Sequence, residues 1–502
     1  MSSLALPSLA RLALPRWLPL VVVFILAVFL RQVLVANTDV SWGLVMAEKL
    51  LDGQRLYVDI IEVNPPATPY LYVGPALLAR LAGLPAEFVV DGLVFLAAGL
   101  SLWLAGRILL KAGLVADGDA WLLATVVAVA LTILPAQTFG EREHIGLITF
   151  LPLLAACAAR AKGDAPSWSM VIAAGIGAGI TVVIKPHFAA AILCTAAAAA
   201  LCARSWRPLL ALENWIAAAL LAAYCAWVLL AFPQFVSDVL PLVMAVYVPV
   251  KAKFLKFIIH FATPLWVTAL LLIALLKRRA ALDPPFSLLL AASFGFSISF
   301  FGQQKGWSYH SYPMLALALI ALVLAFIDRW HRAPSEPAER PKRLAIAIMT
   351  ALIAGTTFCW MNFAVDCSAL APAIRALKSH PKMLALSSDL AIGHPLTRQV
   401  GGIWVSRVSA LWITAGVWLR RRNETLDPQT DARLEVYAAR DRAMLAEDIA
   451  RHQPDVILVD LMKTIDWLAW ARSDPALAEQ MRSYRDYQKL DDVLILRRAD
   501  GR

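Results

Sequence analysis

The stretch WLPLVVVFILAVFLRQVLVANTD (residues 17–39) decides the fold, because it is a long apolar run that ends beside an acidic residue, Asp39. A helix over residues 17–36 is long enough to cross the ~30 Å of bilayer hydrocarbon at ~1.5 Å per residue. Two arginines, Arg11 and Arg16, precede this run, as they would in a secretory signal. The run is longer than a signal core and no small-residue cleavage site follows it, so we expect a retained first membrane helix.

The composition of the chain agrees with a bilayer as its solvent. Of the 502 residues, 60% are hydrophobic and 16% are charged, which is too apolar for a soluble globular protein. The apolar residues form continuous blocks instead of alternating with polar ones, which excludes a membrane β-barrel. The net charge of +10 is spread over short loops and the C-terminal region, so it favours a role in membrane orientation over nucleic-acid binding.

Further apolar blocks predict an α-helical polytopic membrane protein with about eleven transmembrane helices. Short loops that contain charged residues, Pro or Gly separate these blocks. The predicted spans are residues 17–36, 86–110, 120–138, 143–160, 168–184, 187–203, 211–231, 259–276, 285–301, 311–327 and 343–361.

Cationic loops set the expected orientation of these spans. With the N-terminus in the cytoplasm, every inside loop carries Lys or Arg, as the positive-inside rule requires. The odd number of spans then places residues 365–502 outside the cytoplasm. We therefore expect a multi-pass protein of a bacterial inner membrane with a periplasmic C-terminal domain. The inside cations include Arg107, Lys111, Arg160, Lys162, Arg204, Arg207, Lys277 and Arg278.

The first periplasmic loop, residues 37–85, is expected to lie in the membrane interface. Apolar residues recur at helical spacing over residues 41–52, with Glu48 and Asp52 on other faces, which predicts an amphipathic helix. A second apolar stretch, residues 66–81, is interrupted by prolines and a glycine and is either another interfacial helix or a short crossing. A crossing would invert the charges of all later loops, so we favour the interfacial helix.

The C-terminal region differs in character from the rest of the chain. Short apolar runs at residues 456–459 and 493–496 predict buried strands, and residues 434–450 predict a helix. This alternation predicts a small soluble α/β domain. We therefore divide the chain into a transmembrane domain, residues 1–364, and a periplasmic domain, residues 365–502.

Four charged clusters fall at one end of the predicted bundle. Charges cost about 2.5–3.5 kcal/mol each at the centre of a membrane helix on insertion scales, so their placement asks for a reason. A single terminal charge can simply anchor a helix in the headgroups. Mixed acids, cations and histidines on the less basic side favour instead a site for an anionic lipid. The clusters are Asp39 with Asp59 and Glu62; Glu141, Arg142, Glu143 and His144; Lys185 and His187; and Lys305, Tyr309 and His310.

Several segments match one class of membrane enzyme in order and placement. They are Asp39, WGLVMAEKLLDGQRLYVDI (residues 42–60), Pro65-Pro66, GIGAGITVVIKPHF (residues 175–188) and KGWSYHSYPML (residues 305–315). Over about residues 17–327 the chain resembles the GT-C glycosyltransferases, which use polyprenyl-phosphate sugars and include protein mannosyltransferases and the aminoarabinose transferase of lipid A. The resemblance implies an inverting transferase that moves a sugar from a polyprenyl-phosphate donor to an extracytoplasmic lipid, glycan or protein acceptor.

The resemblance also implies which residues hold the donor. A polyprenyl phosphate leaves as a low-pKa anion, so it needs cations more than a strong general acid. Arg142, Lys185 and Lys305 are of that type, and arginine binds phosphate oxygens bidentately. We expect Tyr309 and His310 to bind the donor phosphate beside them.

The attacking hydroxyl needs a base, and one carboxylate can serve in an inverting reaction. Asp39 is the first candidate, because it stands where the family places its catalytic carboxylate. Glu141 and Glu143 are the second candidates, either as base or as ligands of sugar hydroxyls. A plainer alternative for Asp39 is the N-cap of the helix over residues 41–52.

The remaining residues of the clusters, Asp59, Glu62, His144 and His187, are secondary candidates. Glu62 and the histidines, His310 included, have the chemistry to bind a divalent cation, as some relatives do. Their spacing matches no metal-binding motif, so we assign no metal site and no certain cofactor, and a divalent cation stays open.

Two other functions stay open at this point. An envelope glycan polymerase or ligase also uses periplasmic cations, but it would carry a large loop between late helices. A transporter or flippase would place ionisable residues near helix midpoints, whereas these charges lie at helix ends, apart from Asp91. The expected partners of the transferase are a polyprenyl-phosphate sugar, an acceptor and membrane lipids, and not nucleic acid.

Overall fold

The computed structural model describes residues 15–278, 283–332, 340–363, 365–462 and 465–499. Its first part is a bundle of helices that correspond to the apolar blocks of the sequence. In chain order they are α1 (Leu18–Val33), α2 (Thr38–Leu51), α3 (Ala67–Ala82), α4 (Ala86–Lys111), α5 (Asp117–Thr132), α6 (Arg142–Ala161), α7 (Trp168–Ile184), α8 (Ala189–Ala203), α9 (Leu212–Ala231), α10 (Phe235–Tyr247), α11 (Phe254–Ile258), α12 (Ala262–Lys277), α13 (Pro284–Gln303), α14 (Ser308–Arg332) and α15 (Arg340–Met361).

The structure confirms an α-helical polytopic membrane protein, although fewer helices reach spanning length than the sequence predicts. Seven described helices are long and apolar enough to cross a membrane, namely α4, α6, α8 with its preceding turn, α9, α13, α14 and α15. Each predicted span contains a helix. The other four, α1, α5, α7 and α12, have 16 or 17 residues, which is short of the about 20 residues that cover the hydrocarbon.

Helix α5 ends earlier than predicted, and its end shapes the site. The predicted span 120–138 extends only to Thr132, because Pro135 cannot continue a helix and disfavours helical backbone in the residue before it. Residues 133–141 therefore form a loop that contains a short 3₁₀ turn and leads into α6. This loop brings Glu141 to the N-terminus of α6.

The first loop folds back over the end of the bundle. Between α1 and α2 the chain bends by 76°, and α3, which contains Pro75, is not among the candidate spans of the described residues. The side-chain oxygen of Asn37 accepts the N–H of Val40 at 2.9 Å and caps α2. The alternative that Asp39 caps this helix is therefore wrong, because Asp39 already lies within the first turn.

Two glycines let the membrane helices approach closely. A Cβ at Gly177 of α7 would lie 2.4 Å from the backbone oxygen of Thr149 in α6, and one at Gly295 of α13 would lie 2.5 Å from the Cα of Ala191 in α8. Small residues at such contacts permit the close packing that holds helices together in lipid. The contact between α6 and α7 fixes the end of α7, where Lys185 follows.

The C-terminal region forms a sheet flanked by helices, as its α/β pattern predicts. The sheet has five strands in the order β2-β1-β3-β5-β4. Strands β2, β1 and β3 are parallel, and β5 and β4 pair antiparallel. The predicted strands and helix correspond to β3, β5 and α19. The elements are α16 (Ala371–Leu377), β1 (Lys382–Leu386), α17 (Leu396–Gln399), β2 (Ile403–Trp404), α18 (Trp412–Asn423), α19 (Pro428–His452), β3 (Val456–Asp460), α20 (Trp467–Ser473), α21 (Pro475–Met481), β4 (Tyr484–Leu490) and β5 (Val493–Arg498).

The C-terminal region is docked onto the bundle by charged contacts. Arg398 donates hydrogen bonds to Glu87 of α4 at 2.5 Å and to Glu48 of α2 at 2.6 Å. The ammonium of Lys49 in α2 donates to the carbonyl of Ser406 at 2.7 Å. Helix α2 is thus packed between the bundle and the C-terminal region, and most of its residues are buried.

Candidate active site

One end of the bundle and the C-terminal region together enclose a cavity of about 790 Å³. Its wall is made by the first loop, the loop before α6, the starts of α6 and α14, the end of α15 and two loops of the C-terminal region. Three of the four charged clusters contribute to this wall, through Asp39 and Glu62, Glu141 and Arg142, and Tyr309. The fourth cluster does not line the wall, but its Lys185 lies directly behind it.

Asp39 faces the cavity from the first turn of α2. Burial raises the pKa of Asp39, and the positive charge of Arg142 acts in the opposite direction. Asp39 is therefore a poorly solvated carboxyl whose largest compensating charge is Arg142. A carboxylate with a raised pKa accepts a proton more readily, which suits a general base.

Glu141 occupies the N-cap position of α6, where its side chain is fully buried, at 0% exposure. Neither carboxyl oxygen has a hydrogen-bond partner among the described residues. Burial raises the pKa of Glu141 well above its ordinary value, and the nearby carboxylates of Asp39 and Glu143 raise it further. Buried polar groups are normally paired, so an unpaired carboxyl in a cavity wall points to a group that a ligand completes.

Arg142 is the cation of the cavity wall. Its side chain is buried, and one Nη donates to the hydroxyl of Thr68 at 3.4 Å. No other side-chain hydrogen bond joins this guanidinium to the part of the chain that the structure describes. A guanidinium has five N–H donors in a planar fork, so most of the donors of Arg142 remain available to a ligand in the cavity.

Behind this wall, Glu143 joins three helices. The ammonium of Lys185, at the end of α7, donates to the Oε1 atom of Glu143, and the Nε2 of His310 in α14 lies 3.4 Å from the same oxygen. Lys185 also lies 5.7 Å from the ring centroid of Tyr309, which faces the cavity. The ring next to Lys185 therefore separates its ammonium from the cavity, and the ion pair with Glu143 holds Lys185 in that position.

Lys305 takes a different position from the one expected of a phosphate ligand. Its ammonium donates to the carbonyls of Tyr247 and Val250 at 2.7 and 2.6 Å and lies 4.0 Å from the ring centroid of Tyr247. Burial lowers the pKa of Lys305 to about 8, and the charge of Lys251 lowers it in the same direction. In this structure Lys305 holds the end of α10 in place.

Three of the secondary candidates lie outside the cavity wall. Asp59 accepts hydrogen bonds from the backbone N–H and the guanidinium of Arg55 at 2.8 and 3.2 Å. His144 is fully buried and bonds to backbone on both sides, because its Nδ1 accepts the N–H of Gly140 and its Nε2 donates to a carbonyl at the end of α5. His187 is exposed in the turn before α8.

The fourth secondary candidate, Glu62, belongs to the cavity wall. Its carboxylate accepts the indole N–H of Trp42 at 2.7 Å and the side-chain amide of Asn64 at 2.5 Å. Both carboxylate oxygens are therefore occupied by protein donors. This arrangement orders the first loop beside Asp39.

Sequence reasoning missed two sets of residues in the cavity wall. One set is aromatic: Tyr247, Trp307 and Trp360 lie at or beside the ends of bundle helices, Tyr72 lies within α3, and Trp412 begins α18. Aromatic residues at the ends of membrane helices are common, so only their placement at the same end as the charged clusters could have singled them out. The other set lies in the C-terminal region and includes Ser388, Asp389 and Ser409. No local pattern marks these residues, because their position depends on how the sheet docks.

The part of the chain that the structure describes offers no ready metal site. Among the described residues, no group of three or more His, Cys, Asp or Glu side chains is placed to hold a metal ion. The histidines proposed for such a role are separated, since His144 bonds to backbone and His187 is exposed. We therefore derive no step through a metal.

Comparison with protein-family models and with curated protein sequences finds no match for this chain. Comparison with solved structures finds matches to this chain. The crystal structure of ArnT from Cupriavidus metallidurans bound to undecaprenyl phosphate aligns with a TM-score of 0.55 at 13% identity, over 95% of this chain and 97% of that one. The apo structure of the same protein aligns with a TM-score of 0.53 at 14% identity over the same shares.

These alignments define the class of the fold. The chain has the fold of the GT-C membrane glycosyltransferases, as the segments of its first 327 residues predict. In particular, it has the fold of ArnT over nearly the whole of both chains, so the likeness extends beyond the membrane helices into the C-terminal region.

Proposed function

We propose that this protein is an inverting glycosyltransferase that moves a sugar from a polyprenyl-phosphate donor to an acceptor at the cavity described above. The observation that carries the proposal is the meeting of Asp39, Glu141 and Arg142 in one cavity at the end of the membrane helices. A carboxylate pair and a guanidinium with unused donors supply what the reaction needs, a base and a counter-charge for the leaving phosphate.

Arg142 binds the donor phosphate in this proposal. Its free N–H donors suit phosphate oxygens, and a bidentate contact fixes the orientation of the leaving group. Lys185 adds positive charge from behind Tyr309, and His310 adds hydrogen-bonding capacity beside it. The fold supports a polyprenyl-phosphate donor, because the ArnT structure of the same fold is bound to undecaprenyl phosphate.

Asp39 acts as the general base in this proposal. It removes the proton of the acceptor hydroxyl as that oxygen attacks the anomeric carbon, while the carbon–oxygen bond to the phosphate breaks on the opposite face. Attack from the opposite face inverts the configuration of the anomeric carbon. Glu141, whose carboxyl oxygens have no hydrogen-bond partner among the described residues, is placed to accept hydrogen bonds from hydroxyls of the transferred sugar.

The C-terminal region forms the acceptor side of the cavity. Ser388, Asp389 and Ser409 line the wall across from the membrane helices, and their hydroxyl and carboxyl groups suit a polar acceptor. We place the cavity on the extracytoplasmic face of a bacterial inner membrane, with the N-terminus in the cytoplasm. This placement follows from the positive-inside rule and leaves the acceptor as a lipid, glycan or protein of the envelope.

A transfer assay tests the proposal. Purified protein in detergent or nanodiscs is incubated with a panel of radiolabelled polyprenyl-phosphate hexoses and pentoses and with membrane extract as the source of acceptor. We expect label to move from one of these donors to a more polar or larger product. Failure with every donor, by protein that retains its fold, would contradict a polyprenyl-phosphate transferase and favour transport or another donor class.

A further inference from the structure

A second cavity, of about 640 Å³, lies at the end of the bundle opposite the candidate active site. Helix α6 begins with Arg142 in the wall of the active-site cavity and reaches the wall of the second cavity at Ala158. At ~1.5 Å per residue these positions are about 24 Å apart along the helix axis. In the orientation that the positive-inside rule favours, the second cavity is at the cytoplasmic end. Its volume lies within the range of about 300–1,000 Å³ that is usual for ligand pockets.

The walls of the second cavity are mostly apolar. Five helices supply aliphatic side chains to them: α4 through Leu109, α5 through Leu123, α6 through Leu154, α13 through Leu289 and α14 through Leu324. Within a bilayer such a space is filled by hydrocarbon, because a void forfeits the van der Waals contacts of the atoms that line it. The walls therefore suit an acyl chain.

A lysine with an unused donor lies at the rim of the second cavity. The ammonium of Lys162 donates hydrogen bonds to the carbonyls of Ala112 and Gly113 at 2.8 and 3.2 Å. An ammonium has three N–H donors. One donor of Lys162 is therefore available to an acceptor in the cavity.

Two exposed carboxylates share this rim, Asp119 in the first turn of α5 and Asp283 at the N-cap of α13. Asp283 accepts the N–H of Phe286 at 2.9 Å with one oxygen. Within the described part of the chain, no cation pairs with either carboxylate, and the side chain of Asp119 has no hydrogen-bond partner. Both carboxylates can therefore accept hydrogen bonds from a ligand.

The other charges of the rim neutralise each other. The ammonium of Lys277 lies 2.8 Å from the carboxylate of Asp328 and 4.8 Å from the ring centroid of Phe286. One cation, Lys162, and two carboxylates then remain for a ligand. An anionic headgroup would meet more negative than positive charge, whereas a headgroup that carries both a phosphate and an ammonium is complementary to the rim.

We propose that the second cavity binds a zwitterionic phospholipid with a primary ammonium, of the phosphatidylethanolamine type. One acyl chain fills the apolar part, the phosphate accepts a hydrogen bond from Lys162, and the ammonium donates to Asp119 and Asp283. The quaternary ammonium of phosphatidylcholine has no N–H to donate, and the headgroup of phosphatidylglycerol has no cation. The bound lipid stabilises the packing of α6 and α14, which carry Arg142 and Tyr309 at their other ends. This site does not depend on the proposed transfer reaction.

Lipid binding to the full chain tests the headgroup. Protein that has been stripped of lipid in detergent is titrated with phosphatidylethanolamine, phosphatidylcholine or phosphatidylglycerol of the same acyl chains, and native mass spectrometry measures each complex. We expect phosphatidylethanolamine to bind at least about fivefold more tightly than the other two lipids, because only its ammonium donates charge-assisted hydrogen bonds to the carboxylates. Equal binding of the three lipids, or tighter binding of phosphatidylglycerol, overturns the proposal.

A variant that fills the cavity tests the location. Gly106 of α4 lines the second cavity, and a Cβ at this position would meet no atom within 4 Å. G106L therefore occupies part of the cavity, and it is expected to bind phosphatidylethanolamine at least about tenfold more weakly, since the acyl chain loses its contacts with the wall. The matched control G99L also adds a side chain in open space on α4, but outside the cavity wall, and is expected to bind normally. Equal binding by the two variants overturns the location.

A charge variant keeps the test decisive if G106L does not fold. Asp119→Asn changes an exposed side chain and is expected to bind the three lipids about equally, because it removes a charge that the lipid ammonium contacts. Asp117→Asn, in the same turn of α5 but outside the cavity wall, is the control and is expected to keep the preference for phosphatidylethanolamine. An unchanged preference in Asp119→Asn overturns the headgroup contact.

Discussion

The ammonium of Lys185 and the carboxylate of Glu143 form an ion pair behind the cavity, with side-chain exposures of 7% and 1%. The pair joins the end of α7 to the first turn of α6, and His310 of α14 approaches the same carboxylate oxygen. Three helices that are distant in sequence therefore meet at one side chain. Because an uncompensated buried charge is costly, each member of the pair depends on the other.

A double-mutant cycle on this pair tests that dependence. Glu143→Gln and Lys185→Met are each expected to lower the free energy of unfolding by about 3–5 kcal/mol, because each leaves one charge buried without its partner. The double variant, which leaves neither charge, is expected to lose clearly less than the sum of the two single losses. Denaturant unfolding in detergent measures all three variants, and strictly additive losses contradict the account.

Arg142→Lys tests the recognition of the donor phosphate. The substitution keeps the charge but removes the planar fork that contacts two phosphate oxygens at once. We expect kcat/KM for the polyprenyl-phosphate donor to fall at least tenfold, with the protein still folded. Arg80→Lys, in an exposed ion pair with Asp52, is the matched control and is expected to retain full activity. Unchanged kinetics in the Arg142 variant argue against a bidentate phosphate contact.

The free energy of unfolding of the C-terminal region is expected to depend on pH through Asp441. Its carboxyl accepts the N–H and the hydroxyl of Thr414 at 3.0 and 2.7 Å, and burial raises the pKa of Asp441 to about 6. The folded protein therefore holds this proton more tightly than the unfolded chain does. The free energy of unfolding consequently falls as the pH rises from about 4 to about 6, and the loss is complete above that range.

Asp441→Asn is expected to remove this dependence. Asparagine keeps an acceptor oxygen for Thr414 and carries no charge, so near pH 7 the variant should be more stable by up to about 3 kcal/mol. Unfolding of the C-terminal region, followed at pH 4.5 and pH 7.5, measures the difference. A variant that is less stable than the unmodified protein at pH 7.5 shows that the buried carboxylate does not destabilise the fold.

Arg398→Ala tests whether the C-terminal region forms the second wall of the cavity. Arg398 ties α17 to Glu87 and Glu48 of the membrane part, so its loss should loosen the docking. We expect faster hydrogen exchange at residues 388–391 and a several-fold loss of transfer activity. The control Arg433→Ala changes an exposed arginine of α19. Unchanged exchange at the cavity loops shows that other contacts hold the region.

Local patterns in the sequence predicted the elements but not the long-range contacts. The apolar blocks predict the helices because lipid demands continuous apolar surface, and the charged clusters predict that Asp39, Glu141 and Arg142 meet. The ion pair that holds Lys185 behind the wall depends on how α6 and α7 pack. The hydrogen bonds of Lys305 to backbone carbonyls depend likewise on the path of the loop after α10.

The part of the cavity wall that the C-terminal region contributes could not be predicted from the sequence, for a similar reason. Asp389 lies far from Asp39 along the chain. It reaches the cavity only because the loop that follows β1 lies at the end of the sheet that faces the membrane helices. Neither the period of the hydrophobic residues nor the spacing of motifs predicts such a long-range contact. Its place follows from the interface that Arg398 and Lys49 make between the two parts of the chain.

In the proposed reaction, Asp39 is the base of a sugar transfer from a polyprenyl phosphate. The most direct measurement is the rate of that transfer by Asp39→Asn, with the exposed Asp52→Asn as control in the same loop. Loss of a general base typically costs 10²–10⁴-fold, so we predict a loss of at least about 100-fold for Asp39→Asn, normal binding of undecaprenyl phosphate, and full activity in the control. Full activity in Asp39→Asn would contradict the account.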